Sequence, residues 1–329
     1  MTWAAFALVL LSATLDASWN LLAKKERMTV PLYAAAITSN SILFSWYLAF
    51  APVSPASLPR AFWIPCAVAV AATALFAIGL PLAYRFLDMT TAYPMMRALP
   101  ILLVAGATSA FGIGTPLSGA AKAGMALVFA GCLVLGMRPS GRVRGTRLKA
   151  ASPARQTRLK ATSPVRQTRL KAASPARWAG FLFVLLVAVG TTVYTIFDSQ
   201  AVAALRAVAS DEAARRTAPL FYYEVRALLT VFVLWGAILV SPNMRAEAAT
   251  VVRTRLRSAV TIGLGSSLAY MAILAAMPLA SNVAYVHAFR QIGLAIGLLG
   301  GALVLRERIS APKIAGVALI LAGLALSVL

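Results

Sequence analysis

The sequence predicts an all-α membrane protein in which ten transmembrane helices form two inverted five-helix repeats. Three observations predict it. Of 329 residues, 60 % are hydrophobic and only 12 % charged, with a mean hydropathy of +0.82, whereas a soluble domain carries about a quarter charged residues. Apolar stretches bounded by Pro, Gly or charge clusters recur ten times along the chain, and spans of roughly 20 residues with short connections fit that length. The first and last stretches of one half also resemble those of the other.

The first stretch, 3–22, lacks a charged leading region and runs into Asp16, Trp19 and Asn20, not a small-residue cleavage site. It therefore reads as span one and not as a cleavable signal. Spans at 31–51, 62–84, 89–112 and 119–137 complete the first repeat, residues 1–137. The second repeat, 178–329, holds spans at 178–200, 219–241, 258–276, 279–304 and 310–329. Strands facing lipid would leave backbone groups unpaired, so these runs are expected to be helices. Cys66 and Cys132 lie inside apolar runs and match no metal or redox spacing.

Between the halves, 138–177 is a basic low-complexity linker. It contains three tandem copies of T-R-L-K-A-x-S-P-x-R, at Thr146–Gln156, Thr157–Gln167 and Thr168–Arg177. Twelve Lys or Arg and no Asp or Glu fall between Arg138 and Arg177, too much like charge and too little apolar surface to fold alone. Anionic lipid head groups are a candidate partner. Without aromatics for base stacking, nucleic acid is not expected as one. The linker reads as a duplicated connection, dispensable for folding.

The halves resemble each other at both ends. Trp3–Leu11 and Trp178–Leu186 share six of nine positions. Leu117–Gly131 lies over Ile309–Gly323 at one constant offset, pairing Ser118 with Ser310, Gly124 with Gly316 and Gly131 with Gly323. An odd number of spans per half makes the halves face opposite ways, a recurring plan of secondary transporters with a site near the midplane.

Polar residues inside the spans are the informative ones, because a charge at the bilayer centre costs roughly 2.5–3.5 kcal/mol on insertion scales. Ser12, Asp16, Trp19 and Asn20 follow offsets of four, three and four, which puts them on one helix face. Span two adds Thr38, Ser39, Asn40 and Ser41, and span six adds Thr191, Tyr194, Thr195 and Asp198. Span four holds Tyr93 and Arg97 one turn apart, with Arg97 bracketed by Pro94 and Pro100; span nine holds Tyr285, His287, Arg290 and Gln291. Asp16 and Glu224 are the acidic candidates. Two readings stand: ion pairs that lock helices together, Asp16 with Arg97 and Glu224 with Arg226 or Arg290, or side chains lining a cavity. The candidate substrate-binding residues are Asp16, Trp19, Asn20, Asn40, Tyr93, Arg97, Tyr194, Glu224, Tyr285 and Arg290. Gly293, Gly297 and Gly301 recur every four residues and read, with Gly124/Gly131 and Gly316/Gly323, as close-packing stripes.

The chain resembles the drug/metabolite transporter superfamily, specifically its EamA-like ten-helix members. Ala17–Lys24, Ala92–Pro100 and the ending Leu305–Ser310 followed by Gly316–Gly323 carry the resemblance, which covers nearly all of the chain outside 138–177. In that family a glutamate-containing loop and a glycine-bearing last helix close each half. Glu307 keeps the glutamate in the second half; the first has Gly112-Ile113-Gly114-Thr115 instead. The resemblance implies export or exchange of metabolites such as amino acids or organic acids. It also implies both termini in the cytoplasm, whereas loops on the linker side hold twenty-two Lys or Arg against four opposite, which places the linker there instead.

A secondary transporter of small metabolites by alternating access is the leading expectation, in a membrane of the bacterial cytoplasmic type. Export of amphipathic or cationic compounds is the alternative. No nucleotide-binding loop is present and no cofactor or metal is expected. An intramembrane enzyme would need a nucleophile with its base, a histidine-rich metal site or an aspartate dyad; one histidine and scattered carboxylates supply none recognisably. A lipid-binding scaffold acting through the linker is a further possibility.

Overall fold

The computed structural model describes residues 3–49, 58–110, 118–136, 173–276 and 290–326, and everything regular among them is helical. The first half contains α1 (Trp3–Lys25), α2 (Val30–Phe44), the short α3 (Trp46–Ala49), α4 (Arg60–Phe86), α5 (Met89–Ala110) and α6 (Gly119–Gly136). After the linker come α7 (Ala173–Ala207), α8 (Glu212–Val240), α9 (Pro242–Thr254), α10 (Leu256–Ala276), α11 (Ile292–Leu303) and α12 (Ala311–Leu326). Nearly all of the linker, residues 138–172, lies outside the described residues.

Five helices are long and apolar enough to cross a membrane, within Trp3–Lys25, Arg60–Phe86, Arg177–Ala207, Glu212–Val240 and Leu256–Ile273. α2, α6, α11 and α12 are shorter apolar helices. Polarity is distributed as a membrane requires. Leu182, Phe232 and Leu303 are 66, 72 and 77 % exposed, while Asp16, Asn20, Asn40 and Glu224 are at most 5 % exposed. Lipid can cover the former; the latter need the protein interior.

Several boundaries differ from the hydropathy reading, each for a local reason. The second span breaks at Ser45, where α2 ends with the Ser45 amide bonded to the Ser41 carbonyl at 2.8 Å. α7 begins five residues before Trp178, inside the last linker copy. α8 begins seven residues before Pro219, because the Asp211 carboxylate accepts from the Ala214 amide at 2.7 Å and caps a charged first turn. α9 falls between the spans expected at 219–241 and 258–276; Ser241 caps it and Pro242 opens it.

Packing is close where glycines permit it. α4 runs along α7, where a Cβ on Gly79 would lie 2.8 Å from Val187 Cγ2 and one on Gly190 would lie 2.9 Å from the Ala72 carbonyl. α6 runs along α12 with Gly131 and Gly316 facing each other, so that a Cβ on Gly131 would meet the Gly316 carbonyl at 2.6 Å. The expected glycine stripes are thus helix contacts, and Gly297 backs onto the Tyr93 ring. α1 packs on α10 and α11, α2 on α8 and α10, and α5 on α7 and α11.

One end of the bundle is tied by charged side chains. Arg306 takes φ 55°, turning the α11–α12 loop so that Glu307 accepts from the Met89 and Thr90 amides, both at 2.8 Å. These are the donors that the first turn of α5 leaves free. Lys313, buried at the start of α12, donates to Asp88 at 3.1 Å and to the Thr90 hydroxyl at 2.6 Å. Lys24 donates to the Tyr84 and Leu87 carbonyls that end α4. The counterpart loop at Gly112–Thr115 lies outside the described residues.

Candidate functional site

The polar face of α1 is buried as its spacing requires. Ser12 donates to the Ala269 carbonyl at 2.6 Å, fixing α1 against α10. One turn on, the Asp16 carboxylate accepts from Tyr93 at 2.7 Å, from the Trp19 indole at 3.3 Å and from Arg97. Arg290 reaches the same carboxylate oxygen as Arg97, at 3.7 Å. One carboxylate therefore serves two guanidinium groups, brought by α5 and by Arg290, two residues before α11. Asn20 donates to the Asp16 carbonyl at 2.8 Å and accepts from Tyr84 at 2.7 Å, behind this cluster.

A second charged centre comes from α7 and α8. Asp198 accepts from Tyr222 and lies 3.6 Å from Arg226. Arg226 also donates to Thr73 at 3.0 Å and lies over the Tyr194 ring at 5.3 Å from its centroid. Its neighbour Tyr223 shares a 2.6 Å hydrogen bond with Ser267 and stacks on Tyr270 at 5.1 Å.

The two centres face one cavity of about 120 Å³, lined from both halves by Asp16, Trp19, Arg97, Tyr194, Arg226 and Arg290, with Tyr33, Phe76, Tyr270 and small hydroxyl residues between them. That space holds several waters. Three guanidinium groups border it, against Asp16 inside and Asp198 behind, leaving one positive charge in excess. Such an arrangement can accept an anion and lay aromatic surface beside it.

Of the ten candidates, Asp16, Trp19, Arg97, Tyr194 and Arg290 line the cavity. Asn20 and Tyr93 stand behind Asp16 and hold it. Asn40 and Glu224 are not among the residues that line it; both are 1 % exposed. Tyr285, like His287, lies outside the described residues. The Asp16–Arg97 pair forms as expected, but Glu224 pairs with neither Arg226 nor Arg290. Arg226 takes Asp198 instead, because the two carboxyls lie on different helices and only Asp198 sits within its reach. Arg226 and Asp198 were legible by the argument that singled out Arg97: charged residues in mid-span. The shares of α4 and α10, Thr73, Phe76, Ser267 and Tyr270, carried no such signal.

No protein-family model and no curated protein matches the chain.

Proposed function

We propose that this chain is a secondary transporter of small acidic metabolites, amino acids or organic acids, in a membrane of the bacterial cytoplasmic type. It would work by alternating access between two inverted halves, as its resemblance to EamA-like transporters implies. The five long apolar helices, α5, and the shorter α2, α6, α11 and α12 make up the ten spans of this reading.

The packing pattern supports the repeat. Matching α1, α2, α4, α5 and α6 to α7, α8, α10, α11 and α12 turns the pair α1–α10 into α7–α4, α5–α7 into α11–α1 and α2–α10 into α8–α4, all of which pack together. The pairs α2–α8, α5–α11 and α6–α12 map onto themselves. Helices that exchange in this way can rock about a shared site.

The observation that carries the substrate class is the set of arginines. Arg97 and Arg290 share Asp16, and Arg226 joins them at the same cavity. A guanidinium stays protonated and presents a planar fork matched to carboxylate oxygens. An entering carboxylate supplies the acceptor that Arg290, at 3.7 Å from Asp16, has in only a loose form. Trp19, Phe76 and Tyr270 offer apolar surface for the rest of the solute.

Exchange of radiolabelled amino acids and organic acids in proteoliposomes tests this. The wild type should exchange at least one acidic solute, and Arg290→Gln should weaken its binding by tenfold or more, about 1.4 kcal/mol, while remaining monodisperse. Binding restricted to cations or amphipathic compounds, unaffected by Arg290→Gln, would replace this reading with the multidrug one.

A further inference from the structure

We propose that Glu224, Asn40 and Ser41 form a small-cation site, taking a proton or a sodium ion, at the contact of α2 with α8 and apart from the arginine-lined cavity. Seven buried side-chain polar atoms have no hydrogen-bond partner among the described residues, and five of them are here: both Glu224 oxygens, the Asn40 amide oxygen and nitrogen, and the Ser41 hydroxyl. All three residues are 1 % exposed. The Ser41 hydroxyl approaches the Glu224 carboxyl and the Asn40 amide approaches Tyr223, but neither contact closes into hydrogen-bond geometry.

Buried polar groups in folded proteins are almost always paired, and each exception calls for a cause. An unpaired carboxylate is the most costly case, at several kcal/mol per ion even after relaxation. Packing alone does not account for it, since leucine would fill the same space without that cost. Arg226 gives no relief: two positions along the helix places it about 200° around the axis, and Asp198 and Thr73 engage it.

Other ionisable groups around α8 are equally committed or uncharged. Tyr33 of α2, Cys66 of α4, Tyr194 of α7 and Tyr270 of α10 form no ion pair with Glu224, Tyr47 of α3 donates to the Thr217 carbonyl, and α9 meets the far end of α8. What the three residues do offer is a carboxylate, an amide oxygen and a hydroxyl. Hard oxygens without sulfur or imidazole suit a proton or an alkali cation, not a transition metal. The site joins the second helix of each half, so filling or emptying it would bias how the halves meet. That last consequence rests on the transporter reading; the site itself does not.

Two measurements on the purified full-length chain in detergent distinguish the ions. In the first, thermal unfolding is followed in NaCl against choline chloride at equal ionic strength. In the second, infrared spectra at neutral pH are searched for the stretch of a protonated carboxyl. A sodium site gives a saturable rise in the unfolding midpoint with NaCl, absent in Glu224→Gln. A proton site gives no sodium effect but a protonated-carboxyl band that Glu224→Gln removes and that Asp16→Asn and Asp198→Asn retain. Should Glu224→Gln not fold, Asn40→Leu serves in its place: it should raise the NaCl needed for half-effect by roughly tenfold or more, or shift the carboxyl band. The absence of both a sodium effect and a Glu224-dependent band would overturn the proposal, whether or not any solute is transported.

Discussion

Glu307 offers the clearest quantitative test of how the halves are held together. Its two oxygens accept from the Met89 and Thr90 amides at 2.8 Å each, and it is half-buried between α5 and the α11–α12 loop. Hydrogen bonds to a charged group contribute about 1.5–3 kcal/mol apiece. Partial exposure favours the lower end, so Glu307→Ala should destabilise by about 3 kcal/mol. Glu307→Gln keeps one acceptor but turns an amide NH2 toward a backbone donor, and should lose roughly half as much. The control is Glu212→Gln, whose pair with Arg216 joins side chains 66 and 75 % exposed; such pairs contribute about 0–1 kcal/mol. Unfolding in mixed micelles of increasing SDS, followed by far-ultraviolet circular dichroism, gives the three free energies. A Glu307→Ala value equal to that of Glu212→Gln would refute the clamp.

Two other contacts give equally direct expectations. Asp198→Ala leaves the Arg226 guanidinium buried without its carboxylate, and breaking a buried pair costs about 3–5 kcal/mol; Tyr222→Phe, which removes one hydrogen bond to the same carboxylate, should cost less than half of that in the same SDS titration. Gly131→Ala places a methyl 2.6 Å from the Gly316 carbonyl and should destabilise by about 1–3 kcal/mol. Gly236→Ala meets nothing within 4 Å and should be neutral or gain up to about 1 kcal/mol from helix propensity; equal effects at the two glycines would contradict the α6–α12 contact.

The Asp16 cluster separates what was legible from what was not. The offsets of Ser12, Asp16, Trp19 and Asn20 fix a common face through helix geometry alone, and the energy of burying charge says that this face turns inward. Which atoms meet it is another matter. Tyr93 and Arg97 are 77 and 81 residues away along the chain from Asp16; the Asp16–Arg97 pair is one of the two readings of these charges, while nothing in the local pattern puts Tyr93 and Arg290 on the same carboxylate.

Sequence by itself determined that the chain is helical, where most helices lie, and that its glycine stripes are contacts, because hydropathy, caps and residue size act within a few turns. It missed α9, whose polar composition carries no membrane signal although Ser241 and Pro242 start a helix there. Only the tertiary structure decided that Arg226 belongs to Asp198, that Arg97 and Arg290 share one carboxylate, and that Glu224 forms no ion pair among the described residues. Those outcomes depend on helix rotation and depth to within a few ångströms, since electrostatic and hydrogen-bond partners are chosen by distance in space. The spacing of residues along one helix says which way a charge points, and the packing of the other helices says what it finds there.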